Sequence, residues 1–453
     1  MAKLFGTDGI RGAAGQFPLD AATVRVIGRS AAQHLAARLG RAPHLVIGRD
    51  TRESGTWLET AFIAGAREAG AVCAAAGIIP TPGVAYLARA LPMDAGIVLS
   101  ASHNPFQDNG IKIFAPTGQK LDEATERLIE ADIRAAQNNG TVSSRAVAEP
   151  SDTTPAAALQ ERYLDYLQHD IAADLSLQGL KIVLDCAHGA AAHLAPRLFQ
   201  ALGAEVVALN CAPDGRNINH ECGSLHLETL ETQVVAHGAD LGVAFDGDAD
   251  RALFIAANGA RVDGDATLWV MAQYLAARNA LPGGLVVATV MSNLGLELAL
   301  RGRGWTLQRA DVGDKYVLQG LLETGALLGG EQSGHIMFPD ISLAGDGMVT
   351  ALLLLRAMRA AGRPLHELTQ GFVRYPQILV NVRVAHKRPF NEVPAIAAAT
   401  RELENEIGVQ GRLLLRYSGT ESLARVMIEG ADQQEIERQA KKLGSIIQSA
   451  LGN

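Results

Sequence analysis

Three stretches of the chain repeat one order of elements. "MDAGIVLSASHNP" (93–105), "HGADLGVAFDGDADR" (237–251) and "ETGALLGGEQSGH" (323–335) each run from a helix end through a small-residue turn and an apolar strand into an abrupt polar loop. That recurrence favours three related units of alternating strand and helix, built on parallel or mixed sheets. Open α/β sheets bind ligands at the carboxyl ends of their strands, so the three polar loops are where chemistry is expected.

The same alternation extends between the loops. "PHLVIGRD" (43–50) precedes the amphipathic "TWLETAFIAGAREAG" (56–70) and the strand "AVCAAAG" (71–77), and a strand, helix and strand follow one another in 179–210. Helix 265–279 and strand 284–291 open a third unit. The end of the chain differs: strands at 376–385, 411–417 and 423–430, with helices near 391–406 and 433–450, predict a smaller α+β domain. A chain of 453 residues is too long for one core. With the polar stretch 137–155 as a linker, the expected domains are 1–154, 155–258, 259–372 and 373–453, three α/β and one α+β, around a central cleft.

A net charge of −8 argues against a nucleic-acid partner or an anionic membrane surface, both of which select basic patches, and favours a small-molecule substrate. The four cysteines form no C-x-x-C pair and no zinc-finger spacing. The start "MAKLFGTDGIRG" has no signal-peptide core, and the apolar run 348–358 is short and broken by Arg356. A cytoplasmic protein is expected.

The loop "DGDADR" (246–251) is the most specific local signal. Side chains two apart in an extended segment share a face, so Asp246, Asp248 and Asp250 can point at one position. Three carboxylates there repel unless a cation or protons intervene, and hard oxygen ligands suit Mg²⁺. An EF-hand is excluded, because its sixth and twelfth positions hold Arg251 and Ala257. A solvated acidic turn is the plainer alternative, but the loop directly follows the apolar "LGVAF".

Ser102 could be an ordinary helix cap or turn residue. No G-x-S-x-G elbow surrounds it, and the adjacent His103 is expected to point elsewhere. A phosphorylated Ser102 would instead supply the anionic oxygen that a three-carboxylate Mg²⁺ site lacks. In "GGEQSGH" (329–335), Glu331, Gln332, Ser333 and His335 suit sugar hydroxyls, and His335 can move a proton near neutral pH. It is not a P-loop, because His335 stands where Lys is required. "RYSGTES" (416–422) sets Arg416, Ser418, Gly419 and Thr420, with Arg425 beyond, about a turn between strands, a donor set suited to phosphate or to a plain hairpin. Arg11 in "GTDGIRG" and Lys112 in "NGIKIF" could meet phosphate or serve as surface charges. The polar loop "RADVGDKYV" (309–317) has no assigned part.

In order along the whole chain, "FGTDGIRG", "SASHNP", "DGDADR", "GGEQSGH" and "RYSGTES" resemble the α-D-phosphohexomutase superfamily, and most closely its glucosamine branch. The resemblance implies three related α/β domains and a smaller fourth. It implies Ser102 as the phosphorylated residue, Asp246, Asp248 and Asp250 with a phosphoserine oxygen as ligands of one Mg²⁺, and Glu331 and Ser333 as holders of sugar hydroxyls. The C-terminal loop would hold the phosphate that is not reacting. Arg11, Lys112, Arg251 and His335 match positions near the transferred phosphate, with Lys112 and His335 as proton-transfer groups. The implied reaction converts glucosamine 6-phosphate and glucosamine 1-phosphate through a glucosamine 1,6-bisphosphate, with that compound or glucose 1,6-bisphosphate as activator, and supplies UDP-N-acetylglucosamine for cell-wall synthesis. A homodimer is common in the superfamily. Gln332 favours the glucosamine branch, with mannose or glucose phosphates as the second choice; a Mg²⁺-dependent phosphatase and a non-catalytic sugar-phosphate sensor are further alternatives. Ala249 departs from the second glycine of many relatives and is expected to be tolerated with a negative φ. Tyr417 and Ser422 depart from the residues common near the phosphate loop, and neither change removes a donor.

Overall fold

The computed structural model describes residues 3–6, 8–139, 154–418 and 421–452. Most of the linker 137–155 therefore lies outside the described residues, as do Gly419 and Thr420. The chain forms two compact units, Met1–Thr289 with Ala310–Thr369, and Val290–Arg309 with Gln370–Asn453. Residues 290–309, placed by sequence in the third α/β unit, thus pack with the C-terminal residues.

In the first unit, a six-stranded sheet runs in the order Phe5–Gly6, Gly9–Ala13, Asp108–Phe114, Ala95–Leu99, His44–Arg49, Val72–Ile78. His44–Arg49 is parallel to both its neighbours, and Asp108–Phe114 returns antiparallel to Ala95–Leu99. Ala95–Leu99 is buried throughout, so an unbroken apolar run suits it better than alternation. Ile10, Ile27, Leu45, Ile47, Phe62, Ile97 and Ile129 share the core beneath helices Ala21–Leu39 and Gly55–Glu68. A five-stranded sheet has the order Arg261–Val262, Ala252–Ala256, Leu241–Phe245, Lys181–Asp185, Glu205–Leu209. Here too the parallel strand Leu241–Phe245 is answered by an antiparallel return, Ala252–Ala256. Gly329–Gly330, parallel to Leu285–Thr289 and antiparallel to Ile336–Met337, repeats the device in miniature.

One topological event therefore recurs three times: a parallel strand ends, a polar loop follows, and the chain returns antiparallel. The three loops are 100–107, 246–251 and 331–335, those singled out by sequence. The repeat has a structural basis, because the sharp reversal exposes loop atoms at the carboxyl edge of each sheet.

In the second unit, Gln377–Arg383, Leu423–Glu429 and Arg412–Tyr417 form an antiparallel sheet with Leu423–Glu429 in the middle. Helices Pro394–Ile407 and Gln433–Leu451 cover it through Ile396, Leu403, Ile436, Leu443 and Ile447, packed with Val382, Val426 and Ile428. This is the expected small α+β domain. Among the described residues no helix is long and apolar enough to cross a membrane.

Candidate active site

Ser102 is fully buried, with φ +52°, a conformation costly for any residue with a Cβ. Arg52 holds it there. Its guanidinium, paired at 2.8 Å with Asp50 and fully buried, donates Nη2 to the carbonyls of Ser102 (2.9 Å) and Asn104 (2.8 Å), and Nη1 to that of Asp108 (3.0 Å). Asn219 Nδ2 also donates to the Ser102 carbonyl, at 2.9 Å. The Ser102 N–H donates to Ser100 Oγ, whose hydroxyl donates to Asp50. Fixing the backbone this way aims the hydroxyl across the cleft, where Ser102 Oγ donates to Asp246 Oδ2 at 2.5 Å.

Asp246, Asp248 and Asp250 are all buried, and one oxygen from each lies within 4.8 Å of the others. Burial first, then the charges of Asp250 and Asp248, push the Asp246 carboxyl well above its ordinary pKa. Burial also opposes ionisation of Asp250, but Lys112 and His335 outweigh it and hold that carboxyl well below the usual range. Asp248 Oδ1 and Asp250 Oδ1 are buried with no hydrogen-bond partner among the described residues. Two orphaned carboxylate oxygens in one acidic cluster are what a hard divalent cation satisfies, so the residues present fit Mg²⁺.

The neighbouring loops contribute cations and a histidine. Lys112 Nζ lies 2.9 Å from Asp248, 3.2 Å from Asp8 and 3.3 Å from Asp250; burial disfavours its charge, but these carboxylates raise its pKa well above the ordinary value. At neutral pH it therefore faces these carboxylates as a positive charge. Arg11 pairs with Asp8. Lys120 bridges Asp8 and Asp314 at 2.6 Å each. His335 is buried, with Nδ1 3.7 Å from Asp250 and Nε2 4.0 Å from Asp314. Burial works against its charge, yet Asp250, Asp314 and Glu331 prevail and raise its pKa to about 9. Glu331 accepts from the Gly313 N–H at 3.0 Å and from Ser333 Oγ at 3.3 Å. Arg11, His103, Asp250, Arg251, Asp314, Glu331 and His335 line one cavity of about 430 Å³, large enough for a sugar phosphate.

Two expectations are corrected. His103 does not turn away: its Nδ1 lies 3.3 Å from Ser102 Oγ and accepts from Arg251 Nη1 at 3.2 Å. Burial, then Arg251 and Arg11, lower its pKa to about 4, leaving the ring neutral at neutral pH. Ala249 has φ +54°, not a negative value. The left-handed conformation is kept here at the steric cost of a methyl group.

Sequence reasoning missed Asp8, Arg52, Thr81, Lys120 and Asp314. Asp314, the first residue of the helix Asp314–Thr324, lies in the polar stretch 309–317 that had no assigned part, and Asp8 in the same glycine-rich stretch as Arg11, so their composition was a usable signal. In the second unit, Arg416 and Arg425 face one another across paired strands, Ser418 directly follows the strand Arg412–Tyr417, and Arg425 Nη2 is 3.3 Å from Glu421.

Models of the phosphoglucomutase/phosphomannomutase family match along the chain: alpha/beta/alpha domain I over residues 2–140, domain II over 161–259, domain III over 263–375 and the C-terminal domain over 379–444. The phosphoglucosamine mutase of Solibacter usitatus is 48% identical over 457 aligned residues, covering 100% of both chains. A phosphoglucomutase/phosphomannomutase family protein of Burkholderia thailandensis superposes with a TM-score of 0.79 at 28% identity, covering 99% of this chain and 97% of its own. The N-acetylphosphoglucosamine mutase of Aspergillus fumigatus, solved with GlcNAc-6P and magnesium, has the same fold at 18% identity and a TM-score of 0.66, covering 99% of this chain and 96% of its own. With three α/β domains, a smaller fourth, and matches spanning nearly its full length, the chain belongs to the phosphoglucomutase/phosphomannomutase family.

Proposed function

We propose that this protein is a phosphoglucosamine mutase, an isomerase that interconverts glucosamine 6-phosphate and glucosamine 1-phosphate. One observation carries the mechanism: the Ser102 hydroxyl is held 2.5 Å from Asp246, within a buried group of three aspartates and beside a cavity lined by Arg11, Arg251 and His335. Full-length identity of 48% to a phosphoglucosamine mutase supports the choice of amino sugar.

In this reading Ser102 carries the phosphoryl group. The bond between Ser102 Oγ and phosphorus breaks as a sugar hydroxyl forms its own bond to that phosphorus, and the proton the hydroxyl loses is matched by the one the departing Ser102 oxygen regains, giving the 1,6-bisphosphate. After the intermediate turns over in the cleft, its other phosphoryl group returns to Ser102. Asp246, Asp248 and Asp250 would hold Mg²⁺, which supplies positive charge against the phosphoryl oxygens. Lys112, Arg11 and Arg251 neutralise the remaining charge, and such transfer depends mainly on positioning and electrostatics. His335, cationic at neutral pH, holds the proton to be exchanged with a sugar oxygen. Glu331 and Ser333 orient sugar hydroxyls, while Arg416, Ser418 and Arg425, with Gly419 and Thr420, take the unreacting phosphate. The divisions at 154, 258 and 372 belong to the same proposal, as does activation by glucosamine or glucose 1,6-bisphosphate.

Turnover of glucosamine, glucose and mannose 6-phosphates, each with bisphosphate activator, tests the reading. Fastest conversion of glucosamine 6-phosphate is expected, with isomer formed and little phosphate released. Faster conversion of either other sugar rejects the substrate, and stoichiometric phosphate release rejects the mutase.

A further inference from the structure

The aspartate loop is gripped through its backbone. Four consecutive carbonyls each accept one N–H: Asp246 from Ala249 (3.1 Å), Gly247 from Ala190 (2.8 Å), Asp248 from Thr81 (3.0 Å) and Ala249 from Gly347 (3.0 Å). Two of these donors are the first residues of helices, Thr81–Ala90 and Gly347–Ala361. Thr81 also donates its hydroxyl to Asp248 Oδ2 at 2.5 Å, and Gly347 lies so close to the loop that a Cβ there would sit 2.5 Å from the Arg251 carbonyl oxygen. Helix amino termini point N–H groups and positive partial charge outward, so both helices hold the acidic loop by the same means.

Tyr163 stands between those two helices. It belongs to a third helix, Ala156–Asp165, and is completely buried. Its ring lies against Gly83 in the first turn of Thr81–Ala90, where a Cβ would come within 3.0 Å of Tyr163 Cδ1. Its hydroxyl donates to Asp346 Oδ2 at 2.8 Å. The other oxygen of Asp346 accepts from the N–H groups of Met348 and Val349, capping Gly347–Ala361. One side chain thus contacts one loop-holding helix with its ring and the cap of the other with its hydroxyl.

We propose that Tyr163 is a positioning residue for the aspartate loop: through Gly83 and Asp346 it fixes the spacing of the two helix ends that hold Asp248 and Ala249. This rests on the reading of Asp246, Asp248 and Asp250 as a divalent-metal site. Ala249 makes the demand acute, because its left-handed backbone persists only where surrounding contacts over-determine it. Groups that orient metal ligands from behind typically change metal affinity by about 10–100-fold when removed.

The test is binding of Mn²⁺ to the full-length, unphosphorylated protein, read from the electron paramagnetic resonance signal of the free ion, with melting temperature measured alongside. Tyr163→Phe keeps the ring against Gly83 and removes only the hydroxyl; its Mn²⁺ dissociation constant should rise about tenfold. Asp346→Asn keeps an oxygen for the helix cap and offers an amide to the tyrosine oxygen, so its affinity should stay within about twofold of the wild type. Leu159→Ala, a buried substitution on the same helix, should lower the melting temperature without moving Mn²⁺ affinity. The inference is overturned if Tyr163→Phe binds Mn²⁺ like the wild type, or if Leu159→Ala weakens binding as much as Tyr163→Phe does. If the wild type binds no Mn²⁺, or Asp248→Asn leaves its binding unchanged, the metal-site reading fails and the inference falls with it.

Discussion

Ser102 and Asp246 are 144 residues apart in sequence, yet the hydroxyl of the first donates to the carboxylate of the second at 2.5 Å. The contact joins the loop ending one sheet to the loop ending another, so it reports the assembly of two repeated units at once. It also places the hydroxyl proposed to carry the phosphoryl group against the acidic group that would hold a cation.

Ser102→Ala should therefore abolish turnover while leaving the fold intact. Removing the hydroxyl leaves a buried Asp246 oxygen without its donor, at a cost of about 1–3 kcal/mol, which a protein of this size tolerates. Intact-protein mass spectrometry of the wild type should show a phosphate-sized increment that maps to Ser102 and is missing from the variant. Retained activity in Ser102→Ala would leave the phosphoserine mechanism without its carrier.

Arg52 supports the same serine from behind. It is fully buried, paired with Asp50, and its guanidinium spans carbonyls from Ser102 to Asp108. Arg52→Met keeps much of the volume but strands Asp50 in the core, and breaking a buried pair on one side typically costs about 3–5 kcal/mol. Arg52→Lys cannot reproduce the forked geometry and should also lose turnover. Denaturation midpoints measured beside kcat check this: a variant as stable and active as the wild type would make the Arg52 network incidental.

The strand-end loops, the aspartates, Ser102 and His335 were legible because each is announced locally, by an apolar strand stopping in a cluster of polar residues. The three-fold recurrence was legible for the same reason. What stayed hidden was pairing across long separations: Lys112 with Asp248, Lys120 with Asp314, Thr81 with Asp248 and Arg52 with the Ser102 loop have no signature in local spacing. Backbone conformation was hidden too. Nothing in "DGDADR" announces that Ala249 adopts a positive φ, and the side-chain direction of His103 depends on the equally left-handed Ser102 before it.

Three buried aspartates facing one point, two of them with an orphaned oxygen, predict a large stabilisation by divalent metal. A ligand that binds only the folded state at about a hundred times its dissociation constant adds about 2.7 kcal/mol. Mg²⁺ should raise the melting temperature of the dephosphorylated protein and EDTA should reverse the shift. Asp248→Asn should remove most of the response while keeping its contacts to Thr81 and Lys112 partly in place. An equal Mg²⁺ response in wild type and variant would move the metal elsewhere.

Asp346 gives the fold a pH dependence of its own. Burial raises its pKa from the ordinary 3.8 to about 6, against the opposing pull of the Val349 and Met348 N–H groups and the Tyr163 hydroxyl, with Asp250 adding to the rise. Between these two values the folded state binds more protons than the unfolded state, so stability from this group is fully present below about pH 4 and is lost as pH rises through 6. A shift of about two units corresponds to about 3 kcal/mol. Asp346→Asn cannot ionise and keeps the oxygen that caps Gly347–Ala361, so its denaturation midpoint should fall less than that of the wild type between about pH 4 and pH 7. Parallel curves over that range would mean that the folded protein accommodates a charged Asp346 without penalty.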